Sequence, residues 1–170
     1  DFWRTVFFDK SLVNYYQLIF NNVSQDLAIH FVGENEFEEK LTYKNLNDRV
    51  NSLSNYFKSL DIKKGDVIAG YLPNIPDTII SFLAAAKIGA VWSSCSSDFG
   101  MKAVVDRFSQ LNPKILIIGD YYFYNGKKFE YSKNLSQLKR KLNNPIVIKT
   151  GYPSSNPKSQ LTKMYSNKRY

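Results

Sequence analysis

Apolar residues recur along this chain in two alternating periods, one typical of amphipathic helices and one typical of buried strands. After Thr42 they are spaced by three and four positions, which predicts one apolar stripe along a helix. That stripe consists of Tyr43, Leu46, Val50, Leu53, Phe57 and Leu60. Thr42 is placed to cap the helix, although Asn45 stands where a capping box has glutamate. Residues 67–72 are then apolar without interruption, as in a strand buried on both faces, and Pro73 ends them.

The same plan repeats along the rest of the chain. The next predicted elements are a helix at 77–88 ended by Gly89, a strand at 91–93, a helix near 104–111, a strand at 114–118, a helix near 135–142 and a strand at 146–148. Strands that alternate with helices pair in parallel through right-handed crossovers. The sequence therefore predicts an α/β fold, with a mostly parallel sheet and helices on both faces.

The first 42 residues predict a smaller arrangement. Apolar positions in residues 11–24 have a helical period, and residues 27–32 predict a strand that turns at 33–36 into a second short strand near 40–42. This pair predicts a small amino-terminal hairpin. We divide the chain into a leading segment at 1–26, an α/β unit at 27–150 and a basic polar tail at 151–170. The tail has few apolar residues to offset its ordering entropy, so we expect it to be mobile.

Composition excludes several classes of protein. A chain of 170 residues that is 44% hydrophobic has enough apolar surface for a folded core. Its longest apolar stretches are far shorter than the roughly 20 residues that cross a bilayer, and no secretion signal is visible. One cysteine, Cys95, and one histidine, His30, are too few for a metal site of the Cys/His type. We therefore expect a cytoplasmic protein with no membrane span and no metal ligands.

The net charge of +8 comes from one end of the chain. Residues 1–131 carry 14 of the 23 basic side chains and all 15 acidic ones, whereas residues 132–170 carry nine basic side chains and no acidic one. Such a run could bind phosphates or nucleic acid. Charged runs are more often solvated surface, which is the interpretation we favour, so we do not expect a nucleic-acid partner.

The loop at residues 93–100 is a candidate binding site because ligands of open parallel sheets lie where loops leave the carboxyl ends of strands. Its hydroxyls and amides precede a helix that begins near Met101, an arrangement that suits an anionic or polar ligand. The plainer interpretation, which the spacing favours, is a strand-to-helix turn with Asp98 as the N-cap. Cys95 has no neighbouring base and is expected to be a buried thiol rather than a nucleophile. Trp92 and Phe99 flank the strand, where aromatic residues more often belong to the core.

Residues 121–128 interleave aromatic and basic side chains around Asn125 and Gly126. This segment could stack a base and pair with a phosphate, or it could be an ordinary hairpin with Asn-Gly at its tip. The sequence contains neither a P-loop motif nor the glycine fingerprint of dinucleotide-binding folds. These residues alone therefore do not indicate an enzyme.

Several segments together resemble the amino-terminal region of acetoacetyl-CoA synthetases, a branch of the adenylate-forming enzymes. They are residues 70–74 (GYLPN), 84–100 (AAAKIGAVWSSCSSDFG) and 105–110 (VDRFSQ). Residues 41–67 resemble the segment that opens the large domain throughout this superfamily, and residues 12–15 resemble the segment before it. Residues 90–100 favour the acetoacetate branch over the acetate branch. The resemblance implies that residues 27–150 are the amino-terminal part of the large domain of such an enzyme.

The resemblance also implies a site and an activity. Ser96, Ser97, Asp98 and Phe99 would lie along the tunnel for the pantetheine arm of CoA. Tyr124 and Lys127 would lie near the nucleotide end of CoA, where acetyl-CoA synthetases have arginines. The family uses ATP, CoA and magnesium to join an acid to CoA through an acyl-adenylate, and releases AMP and pyrophosphate. The implied acid is acetoacetate or a similar short acid.

The family's loop for the ATP phosphates, its ribose-binding carboxylate and its catalytic lysine have no counterpart in residues 1–170. We therefore expect no catalytic residue here, no firm binding of ATP or CoA, no activity of the chain alone, and the remainder of the ligase as its partner. Two alternatives stay open. One is a free-standing Rossmann-like module that binds a coenzyme or nucleotide through residues 93–100. The other is a basic protein that binds nucleic acid through residues 132–170.

Overall fold

The computed structural model describes residues 13–131, 135–154 and 161. In chain order its elements are α1 (Tyr15–Ile19), β1 (Leu27–Val32), β2 (Glu38–Thr42), α2 (Tyr43–Ser59), β3 (Val67–Tyr71), α3 (Pro76–Lys87), β4 (Val91–Cys95), α4 (Met101–Ser109), β5 (Ile115–Gly119), β6 (Tyr121–Tyr124), β7 (Lys127–Glu130), α5 (Leu135–Lys141) and β8 (Ile146–Thr150).

Four parallel strands form the central sheet in the order β4-β3-β5-β8. Strands β1 and β2 form an antiparallel hairpin near the amino end, and β6 and β7 form a second hairpin directly after β5. The predictions of an α/β fold, a mostly parallel sheet and an amino-terminal hairpin are confirmed.

Strand β5 shows how helices come to lie on both faces of this sheet. Its side chains alternate between two hydrophobic cores because successive residues of a strand point to opposite faces. Ile115 and Ile117 belong to one core with α2 and α3, whereas Leu116 and Ile118 belong to the other with α4 and α5. Since both faces are covered, all five residues of β5 are buried. The predicted two-sided packing is confirmed.

The long helix α2 follows its predicted pattern closely. The Thr42 hydroxyl accepts a hydrogen bond from the Asn45 amide at 3.1 Å and donates one to the Asn45 side chain at 2.9 Å. The bond from the Asn45 amide to the Thr42 hydroxyl is the N-cap half of a capping box, and it does not depend on the Asn45 side chain. The predicted apolar stripe supplies the buried face of the helix through Leu46, Val50, Leu53 and Phe57.

The predicted helix at 11–24 is wrong in length. Within the described residues the helix covers only Tyr15–Ile19, and Phe20 already has a non-helical backbone. Leu18 and Val23 are 63% and 46% exposed, so they do not form the buried face of a longer helix. A helix this short cannot be stabilised by its own hydrogen bonds and depends on packing against α3.

Strand β4 continues to Cys95, two residues beyond the predicted end at Ser93. The additional residues pair in parallel with Gly70 and Tyr71 at the end of β3. Gly70 also leaves room for the ring of Trp92, which a β-carbon at position 70 would approach to 2.5 Å. Trp92 packs against the core of α2 and α3, as expected for an aromatic residue on a strand.

Most of the predicted mobile tail lies outside the described residues. Two tail residues that the structure describes are buried. Tyr152 is 8% exposed, and Leu161 is fully buried in the core of α2 and α3. Within the described ranges, no helix combines the length and the apolar character needed to cross a membrane.

The two-sided core predicts that shortening either face of β5 destabilises the protein. Leu116→Ala and Ile117→Ala each remove a fully buried side chain, so each should lower the free energy of unfolding in urea by about 2–5 kcal/mol. Val91→Ala is the control, because Val91 is 46% exposed at the edge of the sheet and should cost less than about 1 kcal/mol. A loss below about 1 kcal/mol at position 116 or 117 would contradict this packing.

Candidate functional site

A cavity of about 580 Å³ lies at the carboxyl edge of the central sheet, where β3 and β5 end. From β3 the chain crosses to β4 on one side, and from β5 it crosses to β8 on the other. Such a reversal of direction between neighbouring strands opens a crevice at their carboxyl ends, where α/β proteins bind ligands. The cavity therefore occupies the position that the topology favours for a binding site.

Three parts of the fold line this cavity. Tyr71 and Ile118 come from the ends of the two strands, and residues 97–101 come from the loop after β4. The remaining wall is formed by the β6–β7 hairpin and the start of the following segment, with α5 behind it; its residues are Tyr122, Lys128, Phe129, Glu130, Tyr131 and Leu138.

The Tyr71 hydroxyl fixes the loop after β4. It donates a hydrogen bond of 2.6 Å to the carbonyl of Phe99 and lies 3.4 Å from the carbonyl of Ser97. Burial raises the pKa of Tyr71 to about 12, so the hydroxyl keeps its proton at neutral pH and remains a donor. This bond holds residues 97–99 at the mouth of the cavity.

Asp98 does not cap helix α4, and the simpler interpretation of this loop is wrong. The N-cap is Gly100, which has an extended backbone and no side chain to offer a bond. Asp98 lies two residues too early in the chain and instead lines the cavity. Cys95, at the start of the loop, is 3% exposed, and burial raises the pKa of its thiol. The prediction of a buried thiol is confirmed.

Tyr131 contributes a second buried hydroxyl to this region. The side chain is 6% exposed, and its ring meets Tyr71 edge-on at 4.7 Å and Tyr122 at 5.4 Å. Its hydroxyl completes no hydrogen bond within the part of the chain that the structure describes. Burial raises the pKa of Tyr131, and this effect outweighs the opposite effect of the Ser97 side chain.

The β6–β7 hairpin turns through Asn125 and Gly126, whose φ angles are +50° and +71°. Two successive left-handed residues make the tight turn that Asn-Gly favours, so the predicted hairpin is confirmed. Residues paired across an antiparallel hairpin share a face, and Tyr122 stacks on its partner Phe129 at 5.3 Å beside the cavity. The next pair on the same face, nearer the tip, is Tyr124 and Lys127.

The predicted site residues therefore fall into two groups. Ser97, Asp98 and Phe99 line the cavity. Tyr124 and Lys127 are outside its lining, but they extend the aromatic face of the hairpin towards the tip, where Tyr124 is 67% exposed. Ser96 is exposed and is also outside the lining. The binding role of all six residues stays a prediction.

Four cavity residues, Tyr71, Tyr122, Phe129 and Tyr131, were not singled out as site residues from the sequence, although Tyr122 belongs to the candidate segment at 121–128. The strand pairing that follows from a turn at Asn125-Gly126 predicts the positions of two of them, Tyr122 and Phe129. Counting outwards from this turn pairs residue 124 with 127 and residue 122 with 129, which places Tyr122 and Phe129 on the face of Lys127. Nothing in the local pattern indicates that Tyr71 and Tyr131 meet, because their contact depends on the order of the strands.

Across residues 13–131, 135–154 and 161, no three His, Cys, Asp or Glu side chains are grouped so that they could hold a metal ion. His30 contacts Glu38 at 2.7 Å on the amino-terminal hairpin.

Comparison with known proteins agrees with this fold. The model of the AMP-binding enzyme family matches residues 21–168. This chain belongs to the AMP-binding enzyme family. Acetoacetyl-CoA synthetase of Rhizobium meliloti (strain 1021) is 37% identical over 142 residues, which are 84% of this chain and 22% of that protein. Acetoacetyl-CoA synthetase of Macaca fascicularis is 36% identical over 160 residues, which are 92% of this chain and 24% of that protein.

Two solved structures share the fold of this chain. Acetoacetyl-CoA synthetase from Streptomyces lividans superposes with a TM-score of 0.77 at 32% identity, over 86% of this chain and 24% of that one. A Brucella canis acyl-CoA synthetase, 23% identical, shares the fold with a TM-score of 0.71, over 91% of this chain and 27% of that one. The predicted resemblance to acetoacetyl-CoA synthetases is confirmed. This chain spans about a fifth to a quarter of the length of these relatives.

Because Tyr71 donates a hydrogen bond to Phe99, the loss of folding stability caused by Tyr71→Phe should depend on pH. At pH 7 the variant should be less stable than the wild type by about 1 kcal/mol, because the carbonyl of Phe99 loses its donor. The folded pKa of about 12 lies above the ordinary tyrosine value of 10.0, so the stability that Tyr71 contributes is complete below about pH 10 and is lost as pH rises towards 12. Urea unfolding of both proteins should therefore show a gap that narrows over this range. A gap that stays constant would contradict the prediction.

Proposed function

We propose that this chain forms part of the coenzyme-binding wall of an ATP-dependent acetoacetate–CoA ligase. One observation carries the proposal: the cavity at the sheet edge continues into the aromatic face of the β6–β7 hairpin, and Lys127 lies on that same face near the tip. The family match and the similarity to acetoacetyl-CoA synthetases support it. The residues at this surface fit a long ligand with a polar arm at one end and a phosphorylated nucleoside at the other.

Each end of the surface offers a different kind of contact. Ser97 and the neutral Tyr71 hydroxyl lie at the cavity end, where the amide groups of a pantetheine arm would find donors and acceptors. Tyr122 and Phe129 offer flat apolar rings beside the cavity, and Tyr124 offers an exposed ring for stacking on a base. Lys127 would pair with a phosphate as a point charge. Bound CoA would supply the thiol that accepts the acyl group.

The proposal assigns no residue of this chain to ATP or magnesium. Both belong to the proposed activity through the resemblance, as do acetoacetate as the acid and a cytoplasmic location. The chain covers about a fifth to a quarter of the length of its relatives. We therefore propose that the ligation needs the rest of such a protein and that these 170 residues are inactive alone.

The two alternatives make different predictions for the isolated chain. Firm, saturable binding of CoA or ATP would favour a free-standing coenzyme- or nucleotide-binding module. Tight binding of RNA or DNA, with an affinity that falls steeply as the salt concentration rises, would favour a nucleic-acid-binding protein. Helix α5 ends with Lys139, Arg140 and Lys141, and much of the remaining basic run lies outside the described residues.

A CoA titration tests the proposed surface. The chain should bind CoA weakly, with a dissociation constant on the order of 1 mM, which corresponds to about 4 kcal/mol. Amide resonances of residues 97–99 and 124–127 should shift during the titration. Lys127→Ala should weaken binding of CoA by roughly two- to fivefold, the range for one exposed charge pair.

Lys63→Ala is the matched control for this experiment. It removes the same charge from a side chain that is 70% exposed and lies at the opposite, amino edge of the sheet, so CoA binding should not change. Absence of saturable binding, or shifts confined to residues away from the cavity and the hairpin, would overturn the proposed site.

A further inference from the structure

The Tyr131 hydroxyl is a buried polar group beside the cavity that the surrounding protein does not use. Its oxygen is shielded from solvent and completes no hydrogen bond among the described residues. Most buried polar groups of folded proteins are paired, so an unpaired one needs an explanation. The described residues have one other such hydroxyl, that of Ser81, but it lies in helix α3, where rotation can turn the oxygen towards a carbonyl one turn earlier. The oxygen of a tyrosine lies at the far end of its ring and cannot reach its own backbone in this way.

Packing on several sides fixes the ring of Tyr131. Its centroid lies 4.7 Å from that of Tyr71, which it meets edge-on, and 5.4 Å from that of Tyr122. Gly119 leaves room for the ring, because a β-carbon at position 119 would approach Cε2 of Tyr131 to 2.8 Å. The Tyr131 amide donates a hydrogen bond of 3.1 Å to the carbonyl of Asp120. The hydroxyl therefore cannot turn out to water unless these contacts break.

The neighbours of this hydroxyl place it on the cavity side of the ring. Burial has the largest effect on the pKa of Tyr131 and raises it; among the neighbouring groups Ser97 lowers the pKa, and Tyr71 and Tyr122 raise it further. These three residues line the cavity together with Tyr131. Because the pKa is raised, the oxygen keeps its proton at neutral pH and is a hydrogen-bond donor. This end of the cavity thus holds a fixed donor that no described residue accepts from.

The surroundings of this donor favour an uncharged acceptor. Charged side chains of the lining are the carboxylates of Asp98 and Glu130 and the ammonium of Lys128, so the negative charge is in excess and disfavours an anion. The rings of Tyr71 and Tyr122 would also strip a charged group of its hydration. A carbonyl oxygen loses less hydration and accepts a hydrogen bond from a neutral hydroxyl. Amide carbonyls of this kind occur along the pantetheine arm of CoA.

We propose that the Tyr131 hydroxyl binds an amide carbonyl of the pantetheine arm and is a specificity-determining residue for that arm. This inference rests on the proposed CoA surface. Without ligand the unpaired hydroxyl costs folding stability, and the ligand supplies the missing acceptor. Tyr131 thus differs from Tyr71, whose hydroxyl donates to the carbonyl of Phe99 within the protein itself.

Tyr131→Phe removes the oxygen and keeps the ring. In a CoA titration followed by amide resonances, the dissociation constant should rise roughly two- to tenfold, the range for one neutral hydrogen bond. The urea midpoint of the variant should equal or exceed that of the wild type, because no described residue loses a partner. Tyr71→Phe, in contrast, should lower the midpoint. Weaker CoA binding without a loss of stability separates a ligand contact from a structural role.

Tyr43→Phe is the matched control. It removes the same atom from a partly buried ring that packs on the core of α2 and α3, on the other face of the sheet, so CoA binding should not change. Nuclear Overhauser effects should connect the ring protons of Tyr131 to the arm of bound CoA. A lower urea midpoint for Tyr131→Phe, equal weakening of CoA binding by both variants, or Overhauser effects to the adenosine end instead of the arm would each overturn the inference.

The outcomes also separate this inference from the proposed function. If the wild type binds CoA and Tyr131→Phe binds it as tightly, the role of Tyr131 is overturned and the CoA surface stands. If neither protein binds CoA, the CoA surface is overturned, and the role of Tyr131 falls with it.

Discussion

Asp120 ties together three segments that meet at the carboxyl edge of the sheet. Its carboxylate accepts hydrogen bonds from the amides of Tyr121 at 2.7 Å and Tyr152 at 3.1 Å. Its own amide donates to the carbonyl of Thr150, and its carbonyl accepts from the amide of Tyr131. One residue thus joins the end of β5 to both ends of the β6–β7 hairpin and to the end of β8. These bonds set the direction in which the hairpin leaves the sheet.

The direction of the hairpin gives its two faces different roles. The face that carries Tyr122 and Phe129 closes the cavity opposite residues 97–101. The other face carries Tyr121 and Phe123, and both rings pack on Tyr152. Aromatic residues occupy consecutive positions in β6 because neither face of the hairpin is free. One face lines the cavity, and the other packs against Tyr152. The run of aromatic residues is therefore partly structural, which its sequence alone does not reveal.

Local pattern predicted the elements of this fold well, since each depends on residues close in sequence. The apolar period after Thr42 predicted α2, and the uninterrupted apolar run at 67–72 predicted a strand buried on both faces, which is β3. Asn125-Gly126 predicted a hairpin because few other residue pairs adopt two left-handed conformations in succession. The prediction of a helix at 11–24 was wrong because an apolar period does not ensure that the protein provides a packing surface along the whole length of a helix.

The site itself was predictable only in part, because its contacts join residues that are distant in the sequence. The loop at 97–99 could be inferred from the position of strand ends. The strand order β4-β3-β5-β8 could not be inferred from the sequence. This order brings Tyr71 of β3 against Phe99, which lies 28 residues later in the chain. The contact of Glu34 with Gly126 spans 92 residues and depends on the packing of two hairpins around Tyr152. No local pattern records such a contact.

The two buried tyrosine hydroxyls at the cavity are poorly suited to proton transfer. Burial raises the pKa of Tyr71 to about 12 and moves the pKa of Tyr131 in the same direction, so both hydroxyls keep their protons at neutral pH. A general base needs a pKa near the working pH, and neither residue meets that condition. Cys95 is buried, and burial raises the pKa of its thiol, so it is a poor nucleophile. None of these three groups is therefore suited to proton transfer or nucleophilic attack, which fits the proposal that the bond-forming chemistry lies in other parts of a longer ligase.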